Sequence, residues 1–215
     1  MRARAVLIIL CPLLVVGLAA AEELQLAAGT TCVSDEVSEG IRGAVDPTSY
    51  TISDDGQVSA NFWFCRELVD AATTSSELGV TFGQLQAGSL VGVVQLIQPW
   101  LDYKENSIKP GIYTMRYGIM PADGNHMGVS PYRDYLLLIP ATEDKDPKGT
   151  LSYVELMSSS VLASGAPHPA VLALFPIWEE IAKPSLIKNE MDQWTIAVKL
   201  GDKVLGLVVA GHGEI

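Results

Sequence analysis

The residues best suited to chemistry are three histidines, each beside Gly or Pro: His126 in DGNHMG, His168 in APHPA and His212 in GHGEI. Two imidazoles with a carboxylate such as Asp123 form a donor set for zinc or a non-haem metal, and an imidazole with the thioether of Met127 or Met120 suits copper. No H-x-H or H-E-x-x-H spacing joins them, and the Cys-His-Met cluster of a blue-copper centre is absent. Metal ligation by His126 and His168 therefore stands as an alternative reading, with no cofactor expected in the main one. On the plainer reading His126 is a hydrogen-bonder in a loop, His168 opens a helix and His212 belongs to a solvated tail.

Other chemistry has weaker support. There is no G-x-S-x-G elbow and no phosphate-binding Gly loop. Ser185 and Lys188 match S-x-x-K, but its companion motifs are missing. Asp144 and Asp146 alternate with Lys145 and Lys148, the pattern of a solvated turn rather than of a glycosidase dyad or a calcium loop. An enzyme, in the form of a cell-envelope hydrolase, is thus a further alternative. Binding has better material. Arg116 carries a planar fork that pairs either with Asp134 across a hairpin or with a ligand carboxylate. Tyr113, Tyr117, Tyr132 and Tyr135 offer amphipathic area nearby, useful for sugar or peptide contacts and equally for packing strands. The candidate ligand-binding set is Arg116, Asp123, His126, Met127, Tyr132 and His168.

These residues must be positioned by β-structure. Residues 111–119 alternate, with Tyr113, Met115, Tyr117 and Ile119 on one face and Ile112, Thr114 and Arg116 on the other. Residues 135–139 form an apolar strand closed by Pro140, so the two strands hold a loop of thirteen residues, 121–133, rich in Gly, Asp, Asn, Pro and Ser. Most hairpin loops have about 2–5 residues, and long ordered ones are often functional. Further strands are expected at 49–53 and 57–66 around the Asp54-Asp55-Gly56 turn, at 78–85, at 90–97, and at 193–200 and 204–210 around Gly201-Asp202. The near-continuous apolar run 90–97 implies burial on both faces. Residues 151–162 fit a helix or a strand, and 169–183 read as helix split by Pro176. About eight closely spaced strands with one or two short helices predict a mainly β chain, an antiparallel β-sandwich of Greek-key or jelly-roll type.

At 215 residues the length suits one core. Residues 1–21 have a basic start (Arg2, Arg4), an apolar run and an Ala19-Ala20-Ala21 site, the anatomy of a signal peptide cleaved near Ala21. The expected organisation is that signal, an irregular arm over 22–48 and a single β-sandwich domain over 49–215. Secretion or periplasmic residence follows, with no membrane span after cleavage. Cleavage also moves the formal charge from −11 to −13, because Arg2 and Arg4 leave with no acid, and this argues against nucleic acid as a partner. Cys32 and Cys65 then remain, 33 positions apart, and a disulfide is the default expectation in an exported chain.

The pieces GIYTMRYGIMPADGNHMG, YRDYLLLIPA and GAPHPAVLAL resemble a group of exported bacterial proteins of unknown function with β-sandwich domains, in which a similar Gly-x-Tyr strand occurs. DGNHMG and HPAVL are its most specific parts, and the likeness covers about residues 78–173. The resemblance implies a secreted bacterial β-sandwich and carries no activity or catalytic residue. The reading is an exported, non-catalytic binding or structural domain whose ligand is a small molecule, a glycan or an envelope protein, with loop 121–133 as its binding face.

Overall fold

The computed structural model describes residues 24–102, 104–123, 132–164 and 166–211. Residues 1–23, Tyr103, residues 124–131, Gly165 and residues 212–215 lie outside the described residues.

The described residues begin with β1 (Gln25–Gly29) and the short helix α1 (Glu39–Ala44), so the arm at 22–48 contains both a strand and a helix. There follow β2 (Ser49–Asp54), β3 (Gln57–Phe64), β4 (Leu90–Leu96), the small β5 (Trp100–Leu101) and β6 (Ser107–Ile108), β7 (Gly111–Ile119) and β8 (Asp134–Pro140). Helix α2 (Tyr153–Ser160) precedes β9 (Val171–Pro176), β10 (Ser185–Lys188), β11 (Trp194–Leu200) and β12 (Lys203–Ala210).

The mainly β, antiparallel class is as expected. Ten strands join in one sheet in the order β1-β2-β3-β4-β7-β8-β9-β12-β11-β10, and β5 pairs with β6 separately. Its first and last strands approach each other, so the sheet curls into a nearly closed barrel. The turns at Asp55-Gly56 and Gly201-Asp202 are two-residue hairpins, with Asp54 opposite Gln57 and Leu200 opposite Lys203. Gly56 and Gly201 take φ +78° and +65°, the left-handed geometry such turns require.

Side-chain alternation separates the barrel's interior from its exterior. Phe62, Phe64, Val94, Leu96, Tyr113, Met115, Tyr117, Leu136, Leu138, Leu172, Leu174, Ile196, Val198 and Leu207 share one buried cluster. A barrel of this strand number has room for a lumen, but here bulky side chains fill the centre. On the outer face, α1 buries Ile41 against Trp63, Cys65 and Val93, while α2 buries Leu156 against Tyr135, Leu137 and Ile139. Helix α2 is started by a capping box: Ser152 Oγ accepts from Glu155 N, and the Glu155 carboxylate accepts from Ser152 N at 2.8 Å. That exchange settles the ambiguity over 151–162 in favour of helix.

Two expected elements differ. Residues 78–85 are not a strand, because the backbone N–H groups of Thr81 and Phe82 donate to the Asp134 carboxylate instead of to a neighbouring strand. Residues 169–183 are not helical. Leu172, Leu174 and Phe175 are sandwiched between β8 and β12 as β9, and the chain then crosses the outer face as an irregular strap, 177–184, bracketed by Pro176 and Pro184. Ladder pairing on both sides outweighs the helical pattern of an isolated segment.

The expected disulfide is also absent: Cys32 and Cys65 are both free thiols. Cys65 follows β3 with its side chain buried among Val37, Ile41, Val45 and Leu90, and Cys32 is exposed. Burial pushes the Cys65 thiol up to about 12, against a small opposing pull from Arg116. It behaves as a small core hydrophobe rather than a reactive thiol.

Candidate functional site

The stem of loop 121–133 is tightly built. Met120 N donates to Arg133 O at 2.8 Å, and Arg133 Nε donates back to Met120 O at 2.7 Å. Arg133 also pairs with Glu77 at 2.8 Å, and its backbone N–H donates to Gly79 O. Next to it, Asp134 is almost wholly buried and accepts from Thr81 N (2.7 Å), Phe82 N (3.0 Å) and Tyr117 Oη (2.7 Å). Burial, reinforced by Asp134, holds the Tyr117 phenol above its ordinary range and keeps it a donor. Asp134 thus welds the 78–82 segment to the loop's base.

Arg116 therefore does not pair with Asp134, and it offers no fork to a ligand. Residue alternation turns it to the outer face, where its side chain is fully covered by the 141–149 turn. Nε donates to Asp144 Oδ2 at 2.7 Å and Nη2 to Asp144 Oδ1 at 2.7 Å and Asp146 O at 2.6 Å. Nη1 donates to Gly88 O at 2.9 Å and to Gly149 O, so every N–H of the guanidinium is used. Asp144 is accordingly no solvated turn residue but a buried counter-ion, further held by Thr114 Oγ1 at 2.5 Å.

Tyr132, at the loop's far edge, is the sequence-selected residue that meets a concave surface. It lines a groove of about 230 Å³ with Phe175, Pro176, Trp178, Glu179, Ile187, Lys188 and Glu190. The tyrosine ring stands edge-on to Phe175, with centroids 5.0 Å apart at 72°. Its hydroxyl donates to Glu190 Oε1 at 3.2 Å, and burial together with Glu190 raises its pKa. Glu190 is presented by a turn in which Asn189 Oδ1 accepts from Met191 N and Gln193 N, while Asp192 takes φ +59°. Opposite, the strap is seated by Ile177 on Gly206. A Cβ at Gly206 would come within 2.8 Å of both Ile177 Cδ1 and Phe175 O, so only glycine permits this approach. With Ile177 seated on the sheet, the following Trp178 stands out at the rim, 84% exposed.

Among the described residues, Asp123, Arg116 and His168 do not line that groove. Asp123 is exposed, and His168 lies in an exposed bend before β9 rather than at a helix start. His126, Met127 and His212 are outside the described residues, and among the described residues no group of three or more His, Cys, Asp or Glu could hold a metal. Ser185 and Lys188 sit three apart on β10 and so point to opposite faces, and Lys188 is engaged by Asp192 at 2.7 Å. A larger cleft, about 320 Å³, lies between Trp100, Leu101, Asp54, Glu105 and Ala210. Its Asp102 is taken up in closing its own loop, accepting from Lys104 N and Asn106 N.

Sequence reasoning missed Trp178, Glu179 and Glu190. The available signal was the pair Pro176 and Pro184 framing IWEEIAK, too short for a stable helix between two prolines.

Comparison of the chain with protein-family models, with curated proteins and with solved structures found no match.

Proposed function

We propose that the chain is an exported, non-catalytic binding domain whose binding face comprises loop 121–133 and the groove at its Tyr132 edge. Residues 1–21 act as a bacterial signal cleaved near Ala21, leaving the domain secreted or periplasmic. The curled sheet serves as two halves facing each other across one core, the sandwich arrangement, and acts as a rigid scaffold for that face. The ligand is a small molecule, a glycan or an envelope protein.

One observation carries the reading. An indole exposed at 84% stands on the rim of a groove floored by Phe175 and Tyr132. Leaving a tryptophan in water forgoes roughly 2 kcal/mol or more of burial, and exposed aromatic anchors beside a polar rim are typical of binding surfaces.

The test is binding of a panel of monosaccharides, oligosaccharides and short peptides to the wild-type chain and to the Tyr132→Ala/Trp178→Ala variant. The reading expects at least one interaction that the double substitution weakens by about tenfold or more. If every detected interaction survives the substitutions unchanged, this face is not the binding face.

A further inference from the structure

Resting on that reading, we infer that the Trp178 groove takes a basic peptide segment, seating an arginine or lysine side chain against Trp178 between the Glu179 and Glu190 carboxylates. The lining supplies each part of such recognition. Trp178 has no hydrogen bond or ring contact among the described residues, so its π-face is open to a cation. Glu179 is exposed and carries no hydrogen bond or ion pair among the described residues. Glu190 commits Oε1 to Tyr132 and keeps Oε2 for a donor. Lys188, the cation in the lining, is neutralised by Asp192 at 2.7 Å, which leaves the groove an excess of two negative charges.

The fold uses the same chemistry once already. Lys188 Nζ lies 5.3 Å above the Trp194 ring while bonded to the Asp192 carboxylate, a cation held between an indole and an acid. The Trp178 groove has the indole and the acids, while its own Lys188 is already held by Asp192. The net negative charge of the whole chain adds steering toward basic partners. The groove's volume, about 230 Å³, suits one long side chain and a short stretch of its backbone rather than a folded domain.

The experiment titrates the chain with three end-blocked probes by calorimetry at low salt: tetra-arginine, tetra-glutamate and, as a neutral probe, cellotetraose. Tetra-arginine is expected to bind, with Trp178→Ala weakening it about tenfold and Glu179→Gln or Glu190→Gln about threefold each. Glu36→Gln with Glu39→Gln, exposed acids at the start of α1, removes two charges elsewhere, more than either groove variant, and should leave the affinity unchanged. Circular dichroism confirms that each variant folds. If tetra-arginine binds but Glu36 and Glu39 matter as much as Glu179 and Glu190, the attraction is diffuse and the inference is overturned. If cellotetraose binds in a Trp178-dependent manner and tetra-arginine does not, the inference fails while the groove remains a binding face. If no probe responds to Trp178→Ala, the inference is overturned, and the wider panel on the double variant decides the binding face separately.

Discussion

Replacing Arg116 with methionine should destabilise the domain severely. The guanidinium donates two hydrogen bonds to Asp144 at 2.7 Å each and further ones to Asp146 O, Gly88 O and Gly149 O, with the Arg116 and Asp144 side chains both buried. Methionine restores part of the volume but leaves the Asp144 carboxylate buried, with Thr114 its one remaining side-chain donor among the described residues. Breaking such a pair from one side costs about 3–5 kcal/mol. At about 2–4 °C per kcal/mol for a chain of this size, the melting temperature should fall by about 6–20 °C. Arg116→Lys keeps the charge but loses the fork, so it should fall between wild type and methionine. The double variant Arg116→Met/Asp144→Leu removes both charges and should recover much of the loss. Melts followed by circular dichroism and calorimetry, at low and at 0.5 M salt, provide the assay. A buried pair predicts little salt dependence of the penalty, with 0.5 M taken as about a Debye length of a few ångströms. A shift for Arg116→Met below about 2 °C, or a double variant as unstable as the single, would refute the network's role.

Three further outcomes are expected. In a chain starting at Glu22, Cys32 should react with a thiol reagent at pH 8 within minutes, and Cys65 only after unfolding; a chain with no reactive thiol before reduction would instead contain the bridge. Stability should decline in alkali. The folded Cys65 thiol keeps its proton up to about 12 while the unfolded thiol releases it near 9, so the native state binds more protons in that window and loses up to about 1.4 kcal/mol per pH unit there, as thermal melts from pH 8 to 11 can measure. The buried phenols of Tyr113, Tyr117 and Tyr135, all raised by burial, act in the same direction above pH 10, and ultraviolet titration should show them ionising only with unfolding. Gly206→Ala should cost about 1–3 kcal/mol and displace the strap at Ile177, which nuclear magnetic resonance would register as shifts at Trp178; unchanged stability would mean the strap is not seated as described.

Much of the β-scaffold was legible because strand alternation and turn chemistry are local. The 111–119 and 135–139 strands, the two-residue turns and the doubly buried 90–97 run needed nothing beyond periodicity and glycine placement. What escaped depended on long-range partners. Asp144 lies 28 positions from Arg116, and its flanking lysines disguised a buried counter-ion as a surface residue. Asp134 diverted the N–H groups of Thr81 and Phe82, 53 and 52 positions away, and so dissolved a strand that local propensity favoured. Tyr132 was found from its loop, but its partners Phe175, Trp178 and Glu190 come from β9, the strap and the β10–β11 turn, which only the strand order brings together.

The most direct test of the binding face is chemical-shift mapping on the isotope-labelled domain with a ligand from the panel. The account predicts perturbations centred on Tyr132, Trp178, Glu179 and Glu190, extending into loop 121–133. Perturbations confined to the cleft between Trp100, Asp54 and Ala210, with the Trp178 indole unmoved, would contradict it.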